Sequence, residues 1–214
     1  MKIAYLGHSC FKITTANGTV VITDPYKGVG YELPRGLTAD AVTVSHAHFD
    51  HNNTKAIATA CVIDGAQTRE INGVRITGVK TFHDEKYGAL RGENIVYNIV
   101  ADGICVCHLG DLGEKYSGEL VKKIGKVDVL LIPVGGTYTI DAIEAKKYAD
   151  AINARVVVPM HYKPEDGTID ITDAKPFLSL FDSVDYSYEN GEADLSTIDF
   201  SNDERKIIYL ERVE

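Results

Sequence analysis

Three imidazoles and a carboxylate crowd into one short stretch, His46-Ala47-His48-Phe49-Asp50-His51. The chain has only seven histidines in 214 residues, so this grouping constrains the local fold strongly. The apolar run Ala41-Val42-Thr43-Val44-Ser45 before it reads as a buried strand. Asn52-Asn53-Thr54 after it reads as a helix cap, and residues 55–61 have helical composition. The cluster therefore stands where a strand ends and a helix begins, the usual place for a site in an open α/β sheet. Imidazole is the commonest zinc ligand and carboxylate oxygen joins it readily, so the pattern points to a metal centre.

Composition bounds the alternatives. A chain of 214 residues supports one sizeable core, and residues 1–214 are expected to form a single domain. The formal net charge of −9 argues against a nucleic-acid partner, because neutralising phosphates takes clustered Lys and Arg. It leaves room for a small-molecule substrate, and homo-oligomers stay open. The four cysteines, Cys10, Cys61, Cys105 and Cys107, form no C-x-x-C pair and sit in apolar stretches. They read as buried thiols of a reducing compartment, with Cys10 and Cys61 able to pair if oxidised. No run is long enough for a membrane span and the N-terminus reads as a strand, so cytoplasmic residence without a membrane partner is expected.

Taken in order, residues 2–6, 11–15 and 19–23 read as a β-meander, with Asn17-Gly18 as a type I′ hairpin signal. Further strands are expected over 74–82, 94–100, 104–108, 127–133 and 155–159, with Asp102-Gly103 as a second hairpin turn. Helices are expected over 118–124, 141–153 (capped by Thr139) and 173–181. A strand over 183–188 and a closing hairpin with arms 196–200 and 206–211 complete the reading. Periodicity alone gives mixed α and β.

The H-x-H-x-D-H stretch after a hydrophobic strand resembles the metallo-β-lactamase superfamily of metal-dependent hydrolases. The resemblance extends through Leu6-Gly7-His8-Ser9, Thr23-Asp24-Pro25, residues 83–94, His108-Leu109-Gly110-Asp111-Leu112-Gly113, Pro133-Val134-Gly135-Gly136 and Pro159-Met160-His161-Tyr162. It is nearest to the branch that includes ascorbate-6-phosphate lactonase, N-acylphosphatidylethanolamine phospholipase D and many uncharacterised Zn-dependent hydrolases.

The resemblance implies an α/β (α+β) fold: a four-layer αββα sandwich, two mixed β-sheets flanked by helices. It implies two divalent metal ions, Zn2+ first, with Mn2+ or Fe2+ as alternatives. His46, His48 and His83 would hold the first. Asp50, His51 and His161 would hold the second, and Asp111 would bridge them. Asp24 would support the site, and His108 competes with His83 for the first ion or else supports it by hydrogen bonding. Asp24, Asp50 and His108 are the further catalytic candidates.

The implied activity is that of a hydrolase in which a metal-bridging hydroxide attacks a carbonyl or phosphoryl centre of a lactone, ester or phosphodiester. Arg91 is the one strong anion binder of the loop 86–92, so an anionic substrate is expected unless Arg91 pairs with Asp84, Glu85 or Glu93. Tyr138 and His8 are the other candidates for the pocket rim. A metal-binding sensor on a hydrolase fold is the competing reading, and a di-iron redox protein the third.

Overall fold

The computed structural model describes residues 1–188 and 190–213, and among them thirteen strands form two sheets. The first sheet uses β1 (Lys2–Gly7), β2 (Cys10–Thr14), β3 (Val20–Thr23), β4 (Ala41–Thr43), β5 (Val62–Ile63) and β12 (Glu192–Asp194), in the order β12-β1-β2-β3-β4-β5. The second uses β6 (Thr68–Ile71), β7 (Val74–Phe82), β8 (Glu93–Ala101), β9 (Ile104–His108), β10 (Val129–Pro133), β11 (Val156–Met160) and β13 (Lys206–Ile207), in the order β13-β11-β10-β9-β8-β7-β6.

Both sheets are mixed. β1 to β3 run antiparallel, whereas β3, β4 and β5 are parallel. β6 to β9 form an antiparallel meander, followed by parallel β9, β10 and β11. Every residue of β10 and β11 is buried, as a parallel strand covered on both faces requires.

The sheets face each other across one core, to which Ile3, Ile13, Val21 and Ala41 contribute from the first and Ile76, Ile99, Val106 and Leu130 from the second. Pleating sends the neighbours Ile22 and Val42 to the opposite face, where they meet Tyr26, Val29, Tyr31 and Ile57. Helices α1 (Gly118–Ile124) and α2 (Ala142–Ile152) pack on the second sheet, and α3 (Lys175–Leu178) packs on α2. The sandwich is the expected one, but the outer face of its first sheet is covered by the loop that carries Tyr26 to Leu37 and by a 3-10 turn, Thr54–Ala56. No helix among the described residues is long and apolar enough to cross a membrane.

Several local expectations are corrected. Residues 55–61 do not form an α-helix: the Asn53 amide donates to the Tyr26 carbonyl instead of capping, and the chain passes through the 3-10 turn into a bridge at Ala58. The Asn17-Gly18 hairpin is not type I′. Thr15 N–H donates to Thr19 O across a three-residue loop in which Gly18 alone of that loop is left-handed (φ 86°). Asp102-Gly103 is left-handed at both residues, and so is Asn72-Gly73, a hairpin turn that went unread between β6 and β7.

The cap of α2 is Asp141, which accepts Glu144 N–H at 2.9 Å, and not Thr139. Over 183–188 the only pairing described is the bridge at Asp185. The closing hairpin is absent among the described residues: residues 195–197 form a 3-10 turn, and β13 pairs parallel with β11. All four cysteines are free, and β3 and β4 separate Cys10 from the segment of Cys61.

Candidate metal centre

Strand ends from both sheets meet along one edge. His8 follows β1, Asp24 follows β3, β4 leads into His46 to His51, His83 follows β7, β9 leads to Asp111, and His161 follows β11. Three of these residues have left-handed backbones, His8 (φ 55°), Asp24 (φ 38°) and His161 (φ 50°). Such conformations cost a non-glycine residue about 1–3 kcal/mol each and gather at functional sites. Close packing elsewhere demands glycine: a Cβ on Gly113 would lie 2.4 Å from the carbonyl carbon of His83.

Asp111 stands at the middle. Its Oδ2 lies 3.2 Å from His51 Nε2, 3.2 Å from His161 Nε2, 3.3 Å from His83 Nε2 and 3.9 Å from His46 Nε2. Two donor groups surround it: His46, His48 and His83 on one side, and His8, Asp50, His51 and His161 on the other, each with its donor atoms within 4.8 Å of one another. Two imidazole hydrogen bonds at the edge of the cluster are shorter, 2.8 Å for His51 Nδ1 to Asp24 and 2.7 Å for His108 Nε2 to the Ser9 carbonyl.

Two ligands of one tetrahedral ion at about 2.0–2.1 Å lie roughly 3.3 Å apart. The spacings of His51, His161 and His83 Nε2 to the Asp111 carboxylate match that figure, and His46 stands farther off at 3.9 Å. His46 Nε2, His51 Nε2 and Asp111 Oδ1 are buried without a hydrogen-bond partner among the described residues, which is costly unless an ion satisfies them. The residues present fit divalent metal ions.

Supporting hydrogen bonds set the tautomers. Asp24, fully buried, accepts His51 Nδ1–H at 2.8 Å, Ser45 N–H at 2.7 Å and the Ser45 hydroxyl at 2.5 Å. The Ser45 oxygen in turn lies 3.0 Å from His46 Nδ1 and accepts its proton. In their neutral forms both imidazoles thereby present a bare Nε2. Asn94, unremarked in the sequence beyond its place in β8, accepts Asp111 N–H at 2.9 Å and donates to the Leu109 carbonyl at 2.9 Å.

His108 is not brought into the cluster. Its Nε2 donates to Ser9 O and its Nδ1 accepts from Gly110 N–H at 3.2 Å, so neither nitrogen is open to an ion or a reacting proton.

The electrostatics suit ligation. Burial, then the His161 charge, lowers His8 to about 4; burial, then His51, lowers His46 to about 3; burial likewise lowers His83. These imidazoles are neutral at pH 7, with a lone pair to give. Burial acts to raise Asp111, but His161 and His51 hold it well below the usual carboxylate range. Asp24 is likewise held below its usual value, burial being outweighed by the His51 hydrogen bond and nearby imidazoles. Burial pulls His51 down, yet Asp111 and Asp24 raise it well above an ordinary imidazole. Metal uptake would displace that proton.

A cavity of about 760 Å³ opens over the cluster, walled by Ala47, Phe49, Tyr138 and Ile169 with Arg91 and Asp170 at its polar edge. Arg91 has no ionic partner among the described residues. It donates to the Thr137 carbonyl at 3.3 Å, and its guanidinium lies 5.5 Å from the centre of the Tyr138 ring. The acids that might have held it are otherwise engaged. Glu93 pairs with Lys80 and Glu85 with Lys115, while the Asp84 carboxylate accepts the backbone N–H groups of Lys86, Gly88, Leu90 and Arg91 at 2.7–3.0 Å.

Comparison with known proteins agrees with this arrangement. The model of a family described as a beta-lactamase superfamily domain matches residues 2–161. The chain is 32% identical to a UPF0173 metal-dependent hydrolase of Methanospirillum hungatei over 193 residues, covering 78% of this chain and 84% of the relative. Among solved structures it is similar to a Thermotoga maritima chain described as a Zn-dependent hydrolase of the metallo-beta-lactamase superfamily (TM-score 0.79, 39% identity, 97% of each chain covered). A metallo hydrolase of Ignicoccus hospitalis shares the fold at a TM-score of 0.67 and 21% identity, over 100% of this chain and 96% of that one.

Proposed function

Because this chain belongs to the β-lactamase superfamily and, within it, to the metal-dependent hydrolases, we propose that it is a binuclear metallohydrolase acting on a small anionic ester, lactone or phosphodiester. The observation that carries this reading is the pair of donor groups facing each other across Asp111, with buried ring nitrogens that lack a protein partner. His46, His48 and His83 would hold one ion, and Asp50, His51 and His161 the other, with Asp111 between them. Zinc suits so many imidazoles, with manganese or iron as alternatives. Divalent ions held there lower the pKa of water from 15.7 to about 7 and polarise a carbonyl or phosphoryl oxygen.

The chain's own residues do the rest. Asp24 and Ser45 hold His51 and His46 in the ligating tautomer. Phe49, Tyr138 and Ile169 give the cavity an apolar wall, and Arg91 offers an unpaired cation to an anionic substituent.

The test has two parts. Metal analysis of the loaded protein should find about two ions per chain. A screen of lactones, phosphodiesters and thioesters should find turnover that a chelator abolishes. A loaded protein with no bound metal would sink the assignment.

A further inference from the structure

We propose that His8, outside the H-x-H-x-D-H stretch, is a direct ligand of the second ion, a role that rests on the binuclear reading above. His8 Nε2 lies 3.3 Å from Asp50 Oδ2. That spacing equals the one between His83 and Asp111 and matches two ligands sharing a tetrahedral ion, about 3.3 Å. The contact is also a hydrogen bond, a long one beside the 2.7–2.8 Å bonds at His108 Nε2 and His51 Nδ1. The His8 ring centre is 4.4 Å from that of His161 and 5.0 Å from that of His51, so three imidazoles converge with Asp50 on one point.

The backbone is built to hold the ring there. The pairing of β1 with β2 shifts register between Tyr5 and Gly7, a bulge of the kind that re-aims a side chain beside a site. His8 N–H donates to the Tyr31 hydroxyl at 3.0 Å. Its carbonyl accepts His161 N–H at 2.8 Å and the Tyr5 hydroxyl at 3.1 Å. The next carbonyl, of Ser9, accepts His108 Nε2–H at 2.7 Å and the Thr23 hydroxyl at 3.1 Å. These anchors satisfy the backbone of a buried turn and fix its path. They also give His108 a role, since it fixes the turn that carries His8. With His8, the second donor group holds three imidazoles and becomes as nitrogen-rich as the first, which favours zinc over harder ions at both positions.

The test is metal affinity, read without turnover, using zinc competed against a chromophoric chelator. His8→Asn is the main variant, because Asn tolerates the left-handed backbone (φ 55°) that His8 adopts. The melting temperature of the chelated protein checks that the variant folds, and His8→Gln repeats the measurement if it does not. Loss of a direct ligand should weaken the second zinc by more than the 10- to 100-fold of a supporting residue, with the first zinc little changed.

A double-mutant cycle with Asp50→Asn separates a ligand from a residue that merely orients Asp50. A further loss from His8→Asn in the Asp50→Asn background supports ligation; no further loss overturns it. Two zinc ions bound with unchanged affinity in His8→Asn also overturn it, leaving the binuclear reading intact. No zinc uptake by the unaltered protein overturns that reading, and this one with it.

Discussion

Asp24→Asn exchanges one oxygen for an NH2 group at nearly constant volume, at a fully buried position where the carboxylate accepts three hydrogen bonds. One amide oxygen can keep the Ser45 N–H bond. The NH2 must then face the Ser45 hydroxyl and His51 Nδ1. The hydroxyl can rotate and accept. His51 cannot keep a proton on Nδ1 against another donor, so it must move that proton to Nε2, the atom 3.2 Å from Asp111 that the second ion requires. The variant should therefore lose affinity for the second ion by 10- to 100-fold, about 1.4–2.7 kcal/mol.

The first ion should suffer less, because Asp24 reaches His46 only through the Ser45 oxygen. Competitive zinc titration resolves the two steps. Equal weakening at both ions, or a loss confined to the first, would show that Asp24 does not act through the His51 tautomer. Ser45→Ala is the complementary control: it removes the link to His46 and spares the 2.8 Å bond to His51.

Three further outcomes are expected. Arg91→Ala should raise KM for anionic substrates, spare neutral ones and leave metal content intact; equal losses on both would make Arg91 a scaffold residue. In chelator, stability should rise with pH between about 4 and 6.5, because burial holds folded His8 at about 4 and His46 at about 3, so the unfolded chain binds more protons there. The raised His51 acts oppositely, adding stability below 6.5 that is lost as pH rises through its folded value, so the gain should stop above neutrality; melts that show no rise from pH 4 to 6.5 would contradict this. Gly113→Ala would press a Cβ to 2.4 Å from the His83 carbonyl carbon, and should cost about 1–3 kcal/mol by thermal melting and weaken the first ion; an unchanged melt and affinity would show that the loop yields freely.

What could be read from the chain followed the range of the forces involved. β10 and β11 are continuous apolar runs because both their faces are covered, and such runs announce themselves. The candidate ligand His161 follows the end of β11, and the others follow the ends of β4, β7 and β9. Local chemistry misled where a distant partner took over. Asn53 had the composition of a cap but spends its amide on Tyr26. Lys206–Ile207 looked like a hairpin arm but joins β11, a pairing that no short-range signal encodes. His108 and His8 were equally ambiguous as letters, since the His108 ring faces a turn of the opposite sheet at Ser9 and the His8 ring faces Asp50 from a loop 42 residues away. Asn94 entered the sequence reading only as the end of the stretch 83–94 and the start of a strand, because its task, accepting the Asp111 N–H, depends on a contact 17 residues away.

The Asp84 carboxylate has a consequence for how such a pocket can diversify. It gathers the N–H groups of Lys86, Gly88, Leu90 and Arg91, and Gly92 N–H closes the ring onto the Gly88 carbonyl at 3.0 Å. Every donor in those contacts is a main-chain N–H, so the side chains of Ala89 and Leu90 are not needed for them, whereas Tyr87 has a left-handed backbone (φ 57°) and packs its ring edge-on against Phe82 with centres 5.9 Å apart. Tyr87 and Leu90 stand 79% and 66% exposed at its tip. Selection can therefore vary Lys86, Ala89 and Leu90 while Asp84, Gly88 and Gly92 stay, and the loop's path, with Arg91 at its end and His83 at its root, survives the change. Relatives with different appetites could share one scaffold and differ only in the dressing of this ring.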